Sequence, residues 1–170
     1  GVNFYGVLYG LRAFVPRMIK REQPSHVVNV SSLSGVTPGR GSYGVSKHAV
    51  VALTESLYYD LAELAPHVKV SVLCPGWVAT EFYRVDQSRP ERFKGEVTEV
   101  TEEHRKNWRA SLDGGITIEK TAQILFDGLA QDQLYIGLQG FREAGQDVGE
   151  AVMARAQNIV QEKNPLISSS

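Results

Sequence analysis

Two short β-branched runs with a helical-period segment between them constrain this chain more than any other feature. HVVNVS, from His26 to Ser31, alternates so little between apolar and polar residues that it reads as a strand buried on both faces. Helical spacing follows from Ser42 to Leu64, and a second run, VKVSVL from Val68 to Leu73, stops abruptly at Cys74-Pro75-Gly76. Strand, helix, strand is the βαβ unit of a parallel sheet. Both strands then run the same way, and their carboxyl ends open on one edge, where ligands of such sheets sit. The segments SSLSG and CPGWVAT fall there.

The flanking segments extend this unit. Phe4, Val7, Leu8, Leu11, Phe14 and Val15 give residues 3–20 an apolar stripe, closed by the polar KREQPS, with Pro16 as a bend point. Because that stripe starts almost at Gly1, the chain is expected to begin inside a longer polypeptide. Residues 77–114 hold Trp77, Phe82, Tyr83, Phe93 and Trp108 without clean periodicity and read as a lid or substrate loop with one or two short helices. Thr117 is placed to cap a helix over 118–131, with Glu119 in its first turn. LYIGL at 134–138 is a third strand, 141–162 a polar amphipathic helix, and NPLISSS a frayed tail. The expected class is α/β, with three parallel strands, right-handed crossovers and an open outer edge.

Eighteen Lys and Arg against nineteen Asp and Glu leave no basic excess for a phosphate backbone, so nucleic acid is not the expected partner. No apolar run approaches the roughly 20 residues of a bilayer span, and no membrane partner is expected. One cysteine and four scattered histidines offer neither a disulfide framework nor metal-ligand spacing. A reduced, cytoplasmic protein without a metal is the expectation.

Chemistry concentrates at the first strand's end and the helix after it. Tyr43 and Lys47 stand four apart, so their side chains share one helical face beside the strand ends. An ammonium near a phenol favours the phenolate, which makes Tyr43 a candidate general acid or base near neutral pH. Ser32 could hold a carbonyl or hydroxyl oxygen where Tyr43 exchanges its proton.

Ser32 followed by Tyr43-Gly44-Val45-Ser46-Lys47 is similar to the Ser and Tyr-x-x-x-Lys active site of short-chain dehydrogenases/reductases. VVNVSSLSG at 27–35 resembles that family's core strand and catalytic-serine turn, and YGVSKHAVVALTESL at 43–57 its active-site helix. VSVLCPGWVAT at 70–80 resembles its strand and PG turn, and VNFYG at 2–6 the helix that supplies its catalytic Asn, here Asn3. The resemblance implies the carboxyl-terminal portion of a Rossmann-like doubly wound sheet of the classical type. It divides residues 1–170, one partial domain, into an active-site half at 1–76, the substrate loop at 77–114 and a last helix-strand-helix with its tail at 115–170.

The same resemblance implies an oxidoreductase that interconverts a carbonyl and an alcohol on a small molecule, with NAD or NADP as cofactor. Tyr43 would exchange the proton and Ser32 orient the substrate oxygen. Lys47 would bind the nicotinamide ribose and acidify Tyr43, and Asn3 would hold a relay water. Tyr43, Lys47, Pro75, Gly76, Val78 and Thr80 would line the cofactor. A homodimer or homotetramer through helices 3–20 and 43–64 is implied as well. The family's TGxxxGxG turn and NNAG strand fall outside the sequence, and the family usually spaces this Ser and Tyr two residues further apart than the eleven seen here. Two other readings stay open: a non-catalytic remnant or interaction module, and a related NAD-dependent epimerase or dehydratase.

Simpler roles stand beside these. Ser31 rivals Ser32 as the catalyst but points to the strand's other face. Cys74 reads as a small buried hydrophobe. The Asn29-Val30-Ser31 sequon is discounted because it lies in a strand. Gly145 and Gly149 form a GxxxG that permits at most a close helix contact, and the aromatics of 77–114 serve equally as sheet cover or as a substrate pocket.

Overall fold

The computed structural model describes residues 1–38, 41–84, 90–93, 102–143 and 145–162. Helix α1 (Val2–Arg21) runs through Pro16 and ends at Glu22, whose backbone turns left-handed. Strand β1 (Ser25–Val30), helix α2 (Gly41–Leu64) and strand β2 (Val68–Leu73) form the expected βαβ unit. The two strands pair in parallel from Ser25 opposite Val68 to Val30 opposite Leu73. A two-residue strand, β3 (Tyr135–Ile136), joins β2 in parallel and gives the order β1-β2-β3. This is a Rossmann-like α/β layer, as the sequence predicts.

Period-two alternation decides which residues look at which helices. On β2, Val68 and Val70 join Val15 of α1 and Leu61 of α2 in one core cluster, while Val72 and Cys74 pack with Val51 of α2 in a second. On β1, Val27 packs against the first cluster and Asn29 reaches Thr54 of α2, so the odd positions of β1 face the same helices. Ser31 continues that face.

Several expectations need correction. β1 is not buried on both faces: Asn29 is its one buried residue, and Val30 is 50% exposed. Among the described residues β1 pairs only with β2. Phe14 does not join the apolar face of α1, being 63% exposed; Leu11, Val15, Met18 and Ile19 do. The single helix expected over 141–162 is two, α5 (Leu138–Glu143) and α6 (Gly149–Val160). Gly145 breaks it with a φ of +79°, and Asp147 accepts from the Gly149 amide at 2.8 Å to start the second piece. Gly145 therefore lies outside any helix, and no GxxxG face exists. The tail NPLISSS lies outside the described residues.

Two compact units make up the chain, one of residues 1–76 with 124–170 and one of residues 77–123. Within the second, helix α3 (Glu102–Asp113) and two short 3-10 turns take up part of the expected excursion. Phe82 lies 6.5 Å from Trp108, and Val78 forms a parallel bridge with Ile116. Helix α4 (Ile118–Ala130) starts where Thr117 accepts from the Lys120 amide at 3.1 Å, as its sequence predicts. No helix among the described residues is long and apolar enough to cross a membrane.

Candidate active site

The carboxyl ends of β1 and β2 and the first turns of α2 build the site. Beyond the last β1 residue, the Ser31 amide still donates to Leu73 at 2.8 Å and prolongs the ladder by one rung. The chain then turns through a 3-10 segment at Leu33–Gly35, with Ser32 as its cap: the Ser32 hydroxyl accepts from the Ser34 amide at 3.2 Å. The carbonyl of Pro75 fastens this turn to the end of β2. It accepts from the Leu33 amide at 2.8 Å and from the Ser32 hydroxyl at a long 3.4 Å.

Tyr43 and Lys47 come together on α2 as their spacing requires. The Lys47 ammonium lies 5.7 Å from the centre of the Tyr43 ring and donates to the Val30 carbonyl at 3.2 Å. Tyr43 is 45% exposed, so its ring is open to a ligand. Burial lowers the Lys47 pKa from its ordinary value, against the opposing influence of nearby Cys74. Cys74 itself is fully buried, and burial pushes its thiol up to about 11 despite the Ser32 amide and Lys47. It packs with Val51 and Val72 in the second core cluster.

The remaining candidates lie as follows. The Asn3 amide donates to the Ser46 hydroxyl at 3.4 Å, and Ser46 donates to the Tyr43 carbonyl at 2.7 Å, so Asn3 meets α2 at the residue next to Lys47. Gly76 follows Pro75 and faces Leu33, Phe141 and Gln146, which a Cβ at that position would strike. Val78 and Thr80 belong to the second compact unit, where Ala79 between them donates to Ile116 at 2.8 Å. Among the described residues Ser32 and Tyr43 share no hydrogen bond. The loop joining them passes through residues 39 and 40, outside the described residues.

Sequence reasoning underrated two neighbours. Ser31, weighed as a rival catalyst, is 2% exposed and donates to the Lys47 carbonyl at 2.8 Å. A Cβ on Gly35 would strike the Ser31 hydroxyl and lie 2.9 Å from the Lys47 carbonyl oxygen, so Gly35 sets how closely the serine turn approaches α2. The signal for Ser31 was the alternation that turns it toward α2. Gly35 left none, because close approach is a property of two segments at once.

The short chain dehydrogenase family profile matches residues 1–91, more than half of the chain. The chain belongs to the short-chain dehydrogenase/reductase family. It is 34% identical over 137 residues to the 1-deoxy-11-beta-hydroxypentalenate dehydrogenase of Streptomyces avermitilis, covering 79% of this chain and 43% of that protein. It is 29% identical over 142 residues to a CLA biosynthesis dehydrogenase/reductase of Lactiplantibacillus plantarum, covering 79% and 50%. A short-chain dehydrogenase/reductase from Burkholderia phymatum, solved in complex with NAD, superposes with a TM-score of 0.85 at 29% identity over 99% of this chain and 60% of that one. The chain spans about half the length of these two curated relatives. Its short-chain dehydrogenase/reductase relatives are oxidoreductases by name.

Proposed function

We propose that this chain carries the proton-transfer side of an NAD(P)-dependent oxidoreductase site that interconverts a carbonyl and an alcohol on a small molecule. The pairing that carries the reading is the Lys47 ammonium 5.7 Å from the Tyr43 ring, beside the open ends of two parallel strands. In the reducing direction Tyr43 gives its phenolic proton to the oxygen of the carbonyl, and the Lys47 ammonium favours the phenolate left behind. Ser32 is bonded to Pro75 only at 3.4 Å, so its hydroxyl can turn to the substrate oxygen at little cost. Asn3, through Ser46, steadies the turn of α2 that holds Tyr43 and is the candidate for a relay water.

The donor set suits a dinucleotide. Of the three ammonium N–H groups of Lys47, the Val30 carbonyl takes one among the described residues, which leaves donors for ribose hydroxyls beside the open Tyr43 ring. Tyr43, Lys47, Pro75, Gly76, Val78 and Thr80 would hold NAD or NADP, which supplies or accepts the hydride when bound. The NAD complex of the Burkholderia phymatum relative favours this choice. A homodimer or homotetramer through α1 and α2 is supported by Tyr5, Tyr9 and Phe14, all more than half exposed on α1.

Tyr43→Phe tests the reading in the full-length protein. The expected result is a loss of turnover of about 10²- to 10⁴-fold, with saturable quenching of tryptophan fluorescence by NADH or NADPH largely retained. Near-normal turnover would refute the mechanism, and an absence of saturable quenching in the wild type would favour a non-catalytic module.

A further inference from the structure

Two hydrogen bonds cross between the end of β1 and the first turns of α2 in opposite senses. The Ser31 hydroxyl donates to the Lys47 carbonyl at 2.8 Å, and the Lys47 ammonium donates back to the Val30 carbonyl at 3.2 Å. One residue of the helix is thus held at both its backbone and its side-chain tip by two consecutive residues of the strand end. Ser31 is itself fixed, since its amide belongs to the ladder with Leu73 and its side chain is buried. Gly35 keeps the gap narrow, because any Cβ there would enter the space that the Ser31 hydroxyl and the Lys47 carbonyl share.

The Lys47 carbonyl does not need Ser31 for its own satisfaction. A carbonyl inside an α-helix already accepts from the amide four residues on. Its second bond therefore constrains position. A lysine side chain has four rotatable bonds and adopts many rotamers unless something limits them. Starting from a backbone locked at 2.8 Å to Ser31, few of those rotamers bring the ammonium to Val30 and the Tyr43 ring together.

We propose that Ser31 is a positioning residue: by holding the Lys47 carbonyl while the Lys47 ammonium holds the Val30 carbonyl, it fixes where that ammonium sits beside Tyr43. The role deepens the proton-transfer reading above and rests on it for its catalytic consequence. The placement of Lys47 can be tested without turnover.

Lysines carrying 13C at Cε report the ammonium directly, with the Lys47 resonance assigned from its loss in Lys47→Arg. Among the described residues the titratable groups facing it are Tyr43 on its own helix and Cys74 at the end of β2, and both are retained in the test variant. In the wild type, Lys47 is expected to titrate below the ordinary lysine range because it is partly buried. In Ser31→Ala its midpoint moves up toward that range as the ammonium leaves Val30 for water, and the other lysines do not move. An unchanged Lys47 midpoint overturns the proposal, whatever happens to the melting temperature, since lost packing alone would not single out this ammonium. Ser31→Cys keeps the volume with a much weaker donor and carries the same test if the alanine variant does not fold.

In the full-length enzyme Ser31→Ala should lower kcat about three- to tenfold, the effect of one hydrogen bond, with the KM for a carbonyl substrate within about twofold. Wild-type kcat in Ser31→Ala, beside a Tyr43→Phe variant that has lost turnover, would overturn the proposal as well. A moved Lys47 midpoint combined with a fully active Tyr43→Phe would refute the proton-transfer reading and leave the placement of Lys47 standing.

Discussion

Gly35→Ala adds one methyl group at the tightest point of the site. Its Cβ would strike the Ser31 hydroxyl and lie 2.9 Å from the Lys47 carbonyl oxygen and 3.1 Å from its carbon, where ordinary contact begins at 3.4 Å. The two Lys47 atoms are backbone, so a helical turn must shift by several tenths of an ångström. Overpacking of this kind costs about 1–3 kcal/mol. The backbone of Gly35 is not left-handed, so alanine adds no dihedral strain, and stiffening of the unfolded chain returns about 0.4–1 kcal/mol. From the middle of the two ranges a net destabilisation of about 1.3 kcal/mol follows. At this chain length it lowers the melting temperature by roughly 3–5 °C. Urea denaturation followed by far-ultraviolet circular dichroism reads the change, and Ser31→Ala completes a double-mutant cycle. Without the Ser31 hydroxyl one of the collision partners is gone, so the double variant should be more stable than the sum of the single losses by at least about 0.5 kcal/mol. A Gly35→Ala protein as stable as the wild type, or a strictly additive cycle, would refute the close approach of the serine turn to α2.

Other consequences are equally open to measurement. Thr54→Val removes the acceptor of the buried Asn29 amide, bonded at 3.0 Å, and should cost about 1–3 kcal/mol in urea unfolding; an unchanged midpoint would show that the Asn29 amide finds another acceptor. The Cys74 thiol should resist thiol reagents in the folded protein near neutral pH and react on unfolding; fast labelling of the native chain would contradict its burial. Because its folded pKa of about 11 is raised from an ordinary value of 9.0, its contribution to stability is present below pH 9 and lost as pH rises through 11. The wild type should therefore lose stability more steeply than Cys74→Ala across that window, and parallel slopes would contradict the shift. Thr117→Ala should destabilise the start of α4 by about 1 kcal/mol, read as faster amide exchange at Lys120; unchanged exchange would remove Thr117 as the cap.

Short-range chemistry was legible in the residues themselves. The β-branched runs, the helical period between them, the Thr117 cap and the four-residue spacing of Tyr43 and Lys47 each depend on neighbours a few positions away, and the structure bears each out. The final helix is two pieces and not one because the periodicity of 141–162 says nothing of the left-handed backbone at Gly145. The roles assigned to Ser32, Asn3 and the PG turn came from family resemblance, and they stand as proposals.

Sequence alone thus determined the α/β class, the parallel direction of β1 and β2, and the face on which the phenol and the ammonium meet, since each follows from a repeat of two or 3.6 residues. Tertiary structure alone decided that Val30 is half exposed, that Gly35 brings the serine turn against α2, and that Ser31 bonds the Lys47 carbonyl. Those facts depend on which surfaces meet across segments far apart in the chain, and no local period encodes a distance between two elements.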